Sequence, residues 1–323
     1  MPVAALSALA PRLSLGAPQS FRGLVVVPLV DAAAGPSGLL TLDEALASGA
    51  AEVTEVSEAG AVPHIRLSNR GAGELFLLDG EELAGAKQNR ILNLSLLVPG
   101  GTALDIPVSC VEQGRWSWRD GKRGFAGTGR VAFAKLRRRN AEAVSFSMQG
   151  TGRAGSDQGA VWDSIAEKSA RMSVHSDTGA AAALFEGHRA ALDAFVEGIV
   201  AVPGQVGAAF AVHGRFAGLD LLAGPDLLGR LLPKLVRSCA LDALDEEGAQ
   251  EAGGKVPTKD AGLKAIETAV REALAGAAAL EASRHQAIGR GHALRLKGEA
   301  LLGAALIADG ALVHLGLWAD GYR

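Results

Sequence analysis

Short apolar runs separated by glycine and asparagine turns recur at both ends of the chain, and they restrict its fold more than any other feature. Three of them, in the N-terminal part, are AEVTEVSE, PHIRLSN and GELFLLDG, which are joined by only a few residues. Connections this short are those of antiparallel strands, because parallel strands need a crossover of about a dozen residues or more. A second ladder of strands is predicted between His285 and Trp318. Both ends of the chain therefore predict largely antiparallel sheet.

Helical patterns lie between these two sets of strands. Residues 178–200 carry large apolar side chains at helical spacing. A shorter helix is predicted after Thr41, because Thr41 and Glu44 have the spacing of a capping box, and another is predicted to open at Pro225. Strands at the two ends with helices in between predict an α+β fold, in which the N- and C-terminal strands join one or two sheets.

The length of 323 residues allows one large domain or two modest ones. Residues 1–20 carry no strong pattern and are predicted to be a weakly ordered leader. We predict that residues 21–323 form a single α+β domain, with a division near residue 150 as the alternative. No internal repeat indicates a stack of similar units.

Composition and charge restrict the partners and the compartment. A net charge of −3 gives no general reason to expect nucleic acid or an anionic membrane as a partner. The N-terminal segment lacks the basic region of a signal peptide, and no apolar run approaches the roughly 20 residues that span a bilayer. The two cysteines cannot form a disulfide framework or a zinc site of four cysteines. These features predict a cytoplasmic protein.

Several further segments have a predicted local structure. The turn Pro99-Gly100-Gly101 between two apolar runs predicts a β-hairpin. Residues 114–140, rich in arginine, lysine and glycine, predict an irregular loop, and residues 143–148 predict a strand. The glycine-rich residues 246–262 predict an exposed, mobile loop.

The stretch between Leu75 and Trp118 concentrates polar side chains in apolar surroundings. Apolar strands that deliver carboxylates, amides and a thiol are typical of a functional site rather than of a solvated loop. We therefore predict that two neighbouring strand pairs carry these side chains to one concavity. The polar members of the stretch are Asp79, Glu81, Glu82, Lys87, Gln88, Asn89, Arg90, Cys110, Glu112 and Arg115, with Trp116 as a wall.

Cys110 is the candidate nucleophile of this stretch. A thiol at a strand end beside arginines is expected to have a lowered pKa and to react as a thiolate. Glu112 follows two residues later, where it would serve as acid or base. The alternative is that Cys110 is a small apolar side chain packed in the core, as free cysteines often are.

The acidic residues allow two interpretations. Asp79, Glu81 and Glu82 have the composition of an acid–base pair or of ligands for a hard cation such as Mg²⁺, and Glu81 is the first choice as a catalytic group. The alternative is a turn at Asp79-Gly80 followed by solvated acids at the start of a helix.

The basic residues are predicted to bind the ligand. Lys87, Gln88, Asn89 and Arg90 supply donors for a phosphate, a ribose or a carboxylate, or else they pair with the nearby acids. Arg115 and the arginines after it, interleaved with tryptophan, favour a small phosphate-bearing ligand over nucleic acid, with local ion pairing as the alternative.

Common motifs of other enzyme classes are missing. The histidines form no HxH or HExxH pattern, so no dedicated metal site is predicted, and no GxSxG motif indicates a serine hydrolase. The GxGxxG at residues 150–155 lacks the βαβ context of a dinucleotide fold. No cofactor follows from the residues.

The chain resembles the ARG and rhodanese-phosphatase-superfamily-associated protein domain family from about Phe21 to Trp318. The segments that carry the resemblance include DGEELAGAKQNRILN, IPVSCVEQGRW and SDQGAVWDSIAEKS. The association with ADP-ribosylglycohydrolase-type and rhodanese or phosphatase-type proteins implies a place in NAD or ADP-ribose metabolism.

Two hypotheses about function follow. In the first, the protein is an enzyme acting on a nucleotide-like or ADP-ribose-like small molecule, or on a modified protein, with Glu81, Cys110 and Glu112 as reactive groups. In the second, it is a non-catalytic module that senses a ligand or binds a partner with the same cleft. The oligomeric state does not follow from the sequence.

Overall fold

The structure is a computed structural model that describes residues 7–8, 10–58, 60, 63–118, 123–250 and 259–322. The strands of this part of the chain are β1 (Ser14–Leu15), β2 (Gln19–Phe21), β3 (Leu24–Val30), β4 (Leu40–Thr41), β5 (Ala51–Glu55), β6 (His64–Asn69), β7 (Leu75–Leu77), β8 (Glu81–Gly85), β9 (Arg90–Leu92), β10 (Leu96–Val98), β11 (Thr102–Cys110), β12 (Phe125–Val131), β13 (Gln205–Val212), β14 (Arg215–Leu222), β15 (Glu281–Gln286), β16 (His292–Lys297), β17 (Leu301–Ala308) and β18 (Ala311–Ala319). The helices are α1 (Leu42–Ala47), α2 (Ala134–Thr151), α3 (Gln158–Arg171), α4 (Ala182–Gly187), α5 (Arg189–Gly198), α6 (Pro225–Gln250) and α7 (Lys259–Gly276). The predicted α+β fold is confirmed.

The chain forms two compact units. The first comprises Met1–Gly38, Ala190–Gln286 and Gly291–Arg323, and the second comprises Leu39–Arg189 and Ala287–Arg290. Compact units do not test independent folding, so the single domain over residues 21–323 stays a prediction. Strand β1 lies within the predicted leader and β2 begins in it and ends at Phe21; both pair with β3.

The first unit is built on a nine-stranded antiparallel sheet. Its order is β1-β3-β13-β14-β18-β17-β16-β15, with β2 also on β3. The hairpin β13–β14 turns at His213 and Gly214, which both have positive φ, as tight hairpin turns require. Ile266 and Val270 of α7 join the buried core on one face of this sheet.

The second unit contains a closed barrel. Six strands pair in the order β12-β8-β9-β11-β6-β5, and a bridge between Thr54 and Gly124 joins the two end strands. Because strand residues alternate between faces, one face of this sheet lines the barrel interior. Ile65, Leu67 and Ile106 are fully buried on that face. A separate three-stranded sheet has the order β10-β7-β4.

The capping box that opens α1 is confirmed: Thr41 and Glu44 form its reciprocal hydrogen bonds. Asp157 caps α3, and the predicted helix over residues 178–200 is divided into α4 and α5 at His188.

The predicted hairpin at Pro99-Gly100-Gly101 is wrong. The turn is present, but β10 pairs with β7, whereas β11 pairs with β6 and β9. The Asn69 amide donates hydrogen bonds to the carbonyls of Val98 and Pro99 at 3.1 and 3.2 Å. The Asn69 side chain thus stabilises a turn that connects strands of two different sheets.

The structures predicted for residues 114–140 and 143–148 are wrong. Instead of an irregular loop, the first segment contains β12 and the beginning of α2, and the second lies inside α2. Leu136, Val144 and Met148 are buried at helical spacing, so tertiary packing outweighs the local strand-like composition. The loop predicted over residues 246–262 begins inside α6 and ends inside α7; residues 251–258 lie outside the described residues.

Candidate functional site

Arg90 and Cys110 project together into the barrel. Leu83, Arg90 and Cys110 are register partners across β8, β9 and β11, and side chains opposite each other in a sheet lie on the same face. Arg90 and Cys110 are both 0% exposed. Cys110 lies at the end of β11, where the Gln158 side chain accepts from its backbone N–H and donates to its carbonyl, both at 2.8 Å. The Gln158 side chain thus makes the two backbone hydrogen bonds that a neighbouring strand would otherwise make with Cys110.

The thiol of Cys110 lies in a hydrogen-bonded triangle. Arg90 Nη1 donates to Gln88 Oε1 at 2.8 Å and to Cys110 Sγ at 2.6 Å, and the thiol donates to Gln88 Oε1 at 2.9 Å. Burial raises the pKa of Cys110 to about 11, although the Arg90 charge opposes this. The predicted lowering of this pKa is therefore wrong, because desolvation of the thiolate outweighs the neighbouring guanidinium.

Glu55 faces Arg90 across the barrel interior. Its Oε1 lies 3.9 Å from Arg90 Nη2, beyond hydrogen-bond distance, and the two side chains are 2% and 0% exposed. Within the described residues, Glu55 Oε2 and the Nε and Nη2 atoms of Arg90 have no hydrogen-bond partner. A fully buried guanidinium with an unused edge is costly, since buried polar groups are nearly always hydrogen-bonded.

Aromatic and basic side chains lie at the end of the barrel above Arg90. The Trp116 ring lies 5.5 Å from the Arg90 guanidinium carbon and 5.2 Å from Lys87 Nζ, and Lys87 Nζ lies 5.0 Å from the Trp118 ring. Trp116 is 46% exposed. Gly60 contacts this group as well, because a Cβ at Gly60 would lie 3.2 Å from the Trp116 ring. We call Lys87, Trp116 and Trp118 the barrel mouth.

A second polar network lies on the outer face of the same strands. The backbone N–H of Asn89 donates to Glu112 Oε2 at 3.1 Å, and the Asn89 amide donates to Glu82 Oε1 at 3.3 Å. Arg115 Nη2 donates to Glu112 Oε2 at 2.7 Å and contacts Asn89 Oδ1 at 3.2 Å. We call Glu82, Asn89, Glu112 and Arg115 the outer network.

The pKa values of the two carboxylates of the outer network are shifted in opposite directions. Burial acts to raise the pKa of Glu112, but hydrogen bonds from Arg115, Asn89 and Thr178 outweigh it and hold this pKa below its usual value. Burial raises the pKa of Glu82 above its usual value, although Arg130, at 2.9 Å, opposes the shift. Neighbouring carboxylates with opposite shifts are a known basis for acid–base roles.

Asp79 and Glu81 lie at the turn that leads into β8. The Asp79 carboxylate accepts from Arg137 Nη2 at 3.2 Å and from Ser95 Oγ at 2.9 Å. Glu81 Oε2 accepts from the backbone N–H of Leu78 at 2.8 Å. Both predicted site residues are thus engaged in holding the turn.

The sequence profile of the ARG and Rhodanese-Phosphatase-superfamily-associated Protein (ARPP-1) domain matches residues 12–318. The chain belongs to this family. No curated protein and no solved structure matches the chain.

The ARPP-1 domain of this chain does not gather all predicted site residues in one place. Gln88, Arg90 and Cys110 meet inside the barrel, with Lys87 and Trp116 at its mouth. Asn89, Glu112 and Arg115 belong to the outer network, and Asp79 and Glu81 to the turn before β8.

Two residues of this ARPP-1 domain, Glu55 and Gln158, were missed by the sequence analysis. The alternation of AEVTE places Glu55 on the face of Ala51 and Val53, which would have identified it as an inward-facing carboxylate. Gln158 had no comparable signal beyond its place in a segment shared with the family.

The described part of this ARPP-1 domain holds neither a cluster of metal ligands nor a helix that could span a membrane. Over residues 10–250 and 259–322, apart from the gaps already given, no three His, Cys, Asp or Glu side chains are grouped as metal ligands. In the same part of the chain, no helix is long and apolar enough to cross a membrane.

Proposed function

We propose that this ARPP-1 domain binds a small phosphate-bearing, nucleotide-like ligand, with ADP-ribose-like molecules as the first candidates, at the mouth of its barrel. The observation that carries the proposal is the buried Arg90 side chain. Its Nε–H and Nη2–H have no hydrogen-bond partner among the described residues, and they form one edge of the guanidinium. That edge is suited to an oxygen-rich ligand, since guanidinium groups bind paired oxygens with two parallel hydrogen bonds.

The barrel mouth supports a nucleotide rather than a free anion. Trp116 presents a half-exposed ring, and aromatic faces stack on nucleobases. Lys87 Nζ lies beside both tryptophan rings and supplies a positive charge for a phosphate. The choice of ADP-ribose among nucleotides comes from the family's association with ARG proteins.

Binding without catalysis agrees best with the state of the three predicted reactive groups. A thiol with a pKa of about 11 is protonated at neutral pH. The Glu112 carboxylate accepts hydrogen bonds on both oxygens, from Thr178 on Oε1 and from Asn89 and Arg115 on Oε2. Glu81 is bonded to the backbone.

An enzyme acting on the same class of ligand is the second candidate. It is favoured by the opposite pKa shifts of Glu82 and Glu112, which Asn89 joins by hydrogen bonds to both. In such an enzyme Glu82 would act as the acid and Glu112 as the base.

Isothermal titration calorimetry with ADP-ribose, NAD and ADP tests the proposal. Trp116→Ala is expected to weaken binding about tenfold or more, because stacking on an aromatic side chain contributes about 1–3 kcal/mol per base. Phe146→Ala is the matched control, since Phe146 is an aromatic side chain that is 81% exposed on α2. Absence of binding by all three nucleotides, or equal losses in the two variants, would overturn the proposal.

Chromatography of the bound nucleotide separates the two candidates. Recovery of intact ADP-ribose after prolonged incubation favours the binding module. Conversion that is abolished in Glu82→Gln, while affinity is retained, favours the enzyme.

A further inference from the structure

We propose that Arg90 and Glu55 form a subsite for a ligand hydroxyl, so that the bound molecule is held by its sugar inside the barrel and by its phosphates at the mouth. The inference rests on the proposed function and names the group of the ligand that enters. Both side chains are buried, and they face each other from β9 and β5.

The distance between the two groups fits one bridging oxygen. Arg90 Nη2 and Glu55 Oε1 are 3.9 Å apart. An oxygen about 2.8 Å from each atom completes a triangle on that base, which is ordinary hydrogen-bond geometry. Glu55 Oε1 also accepts from the backbone N–H of Lys87 at 3.4 Å, and a carboxylate oxygen can accept from a second donor.

The chemistry of the pair requires a group that both donates and accepts. The unused atoms of Arg90 are donors, whereas the Glu55 carboxylate has only acceptors, Oε1 at 3.9 Å from Nη2 and the unpartnered Oε2. A hydroxyl satisfies both at once. Two adjacent hydroxyls, as in the cis-diol of a ribose, match the two parallel N–H groups on the Arg90 edge.

A phosphate is disfavoured at this position by charge. Its oxygens would lie within about 3–4 Å of the Glu55 carboxylate, where like charges repel strongly in a buried site. Lys87 Nζ lies 5.2 and 5.0 Å from the Trp116 and Trp118 rings and supplies a positive charge at the mouth. The sugar and the phosphates are thus assigned to different depths.

Entry to this subsite passes the barrel mouth. Arg90 is 0% exposed, and Trp116 covers its guanidinium while remaining half-exposed itself. Displacement of the Trp116 ring toward solvent is therefore the movement that admits a sugar.

The test compares ADP, 2′,3′-dideoxy-ADP, ribose 5-phosphate and pyrophosphate by calorimetry on wild type and Glu55→Gln. In wild type, loss of the two hydroxyls is expected to weaken binding by about tenfold to hundredfold, as for hydrogen bonds to charged groups. Glu55→Gln is expected to reduce that ratio to about threefold or less and to strengthen binding of pyrophosphate, because the repelling charge is gone. A purely structural role of Glu55 would change the affinity of all probes equally.

The outcomes separate this inference from the proposed function. Equal binding of ADP and dideoxy-ADP by wild type overturns the hydroxyl subsite and leaves nucleotide binding in place, and this comparison needs no variant to fold. Binding of ribose 5-phosphate alone, lost in Glu55→Gln, retains the subsite and overturns the nucleotide. If no probe binds, both are overturned, and the pair then holds only a structural water.

Discussion

The inner and outer polar clusters of the barrel differ in how completely their atoms are hydrogen-bonded. In the outer network, Arg115 donates to the Glu112 carboxylate and to the Asn89 side chain, and the backbone N–H of Asn89 donates to Glu112. Among the described residues, Nε of Arg115 is the one buried atom of this network without a partner. On the inner face, Arg90 and Glu55 lie close without a direct hydrogen bond, and Nε and Nη2 of Arg90 and Oε2 of Glu55 have no partner among the described residues. The difference teaches that the number of unused buried atoms, rather than residue type, distinguishes the two clusters.

The largest expected effect concerns the reactivity of Cys110. With a pKa of about 11, on the order of one thiol in ten thousand is ionised at pH 7. In a Cys239→Ser background, where Cys110 is the only cysteine, labelling with an aromatic disulfide is expected to be more than about a hundredfold slower in native than in denaturant-unfolded protein. The native rate should increase as the pH is raised toward the pKa, because the thiolate fraction grows. If the native protein is labelled as fast as the unfolded chain, Cys110 is a reactive thiolate and a candidate nucleophile.

The next effect tests the outer network as a clamp. Arg115→Ala leaves the carboxylate of Glu112, whose side chain is 2% exposed, without its cation, and is expected to lower the free energy of unfolding by about 3–5 kcal/mol. Arg66→Ala is the control, because Arg66 and Asp105 form an exposed pair, so its loss should lower the free energy of unfolding much less. Urea denaturation measures both. Similar losses of unfolding free energy in the two variants would mean that Arg115 does not stabilise the Glu112 carboxylate. The outer network would then not be a structural clamp.

The smallest effect tests the barrel mouth. Gly60 and Gly101 both have left-handed φ angles, of 76° and 69°, so alanine at either position is expected to cost about 1–2 kcal/mol. Only at Gly60 would the new Cβ meet Trp116, at 3.2 Å, whereas nothing lies within 4 Å at Gly101. Gly60→Ala should therefore shift the tryptophan fluorescence and alter nucleotide affinity, and Gly101→Ala should do neither. Identical spectra for the two variants would show that Trp116 does not rest on residue 60.

Local patterns were enough for the fold class and for most individual elements. The capping box at Thr41 and Glu44 was predictable because it depends on two residues close in sequence. The hairpin at residues 99–101 failed because its strands pair with distant partners. β10 pairs with β7 and β11 pairs with β6, and the residues of the turn do not indicate these partners.

The choice of residues 75–118 as the candidate site stays a prediction, and the division of its polar side chains into two clusters was not foreseen. Asn89 and Arg90 are consecutive, and they face opposite sides of the sheet, as strand alternation requires. The same alternation would have placed Glu112 on the face of Cys110, because the sequence does not show that β11 ends at Cys110. The pKa of Cys110 could not be inferred in this way, because it depends on burial by strands far away in the chain.

The bridge between Thr54 and Gly124 has a consequence for the route of the proposed ligand. Backbone pairing runs from strand to strand around the ring and is completed by this bridge. The proposed ligand would therefore reach Arg90 along the axis of the ring rather than between two paired strands.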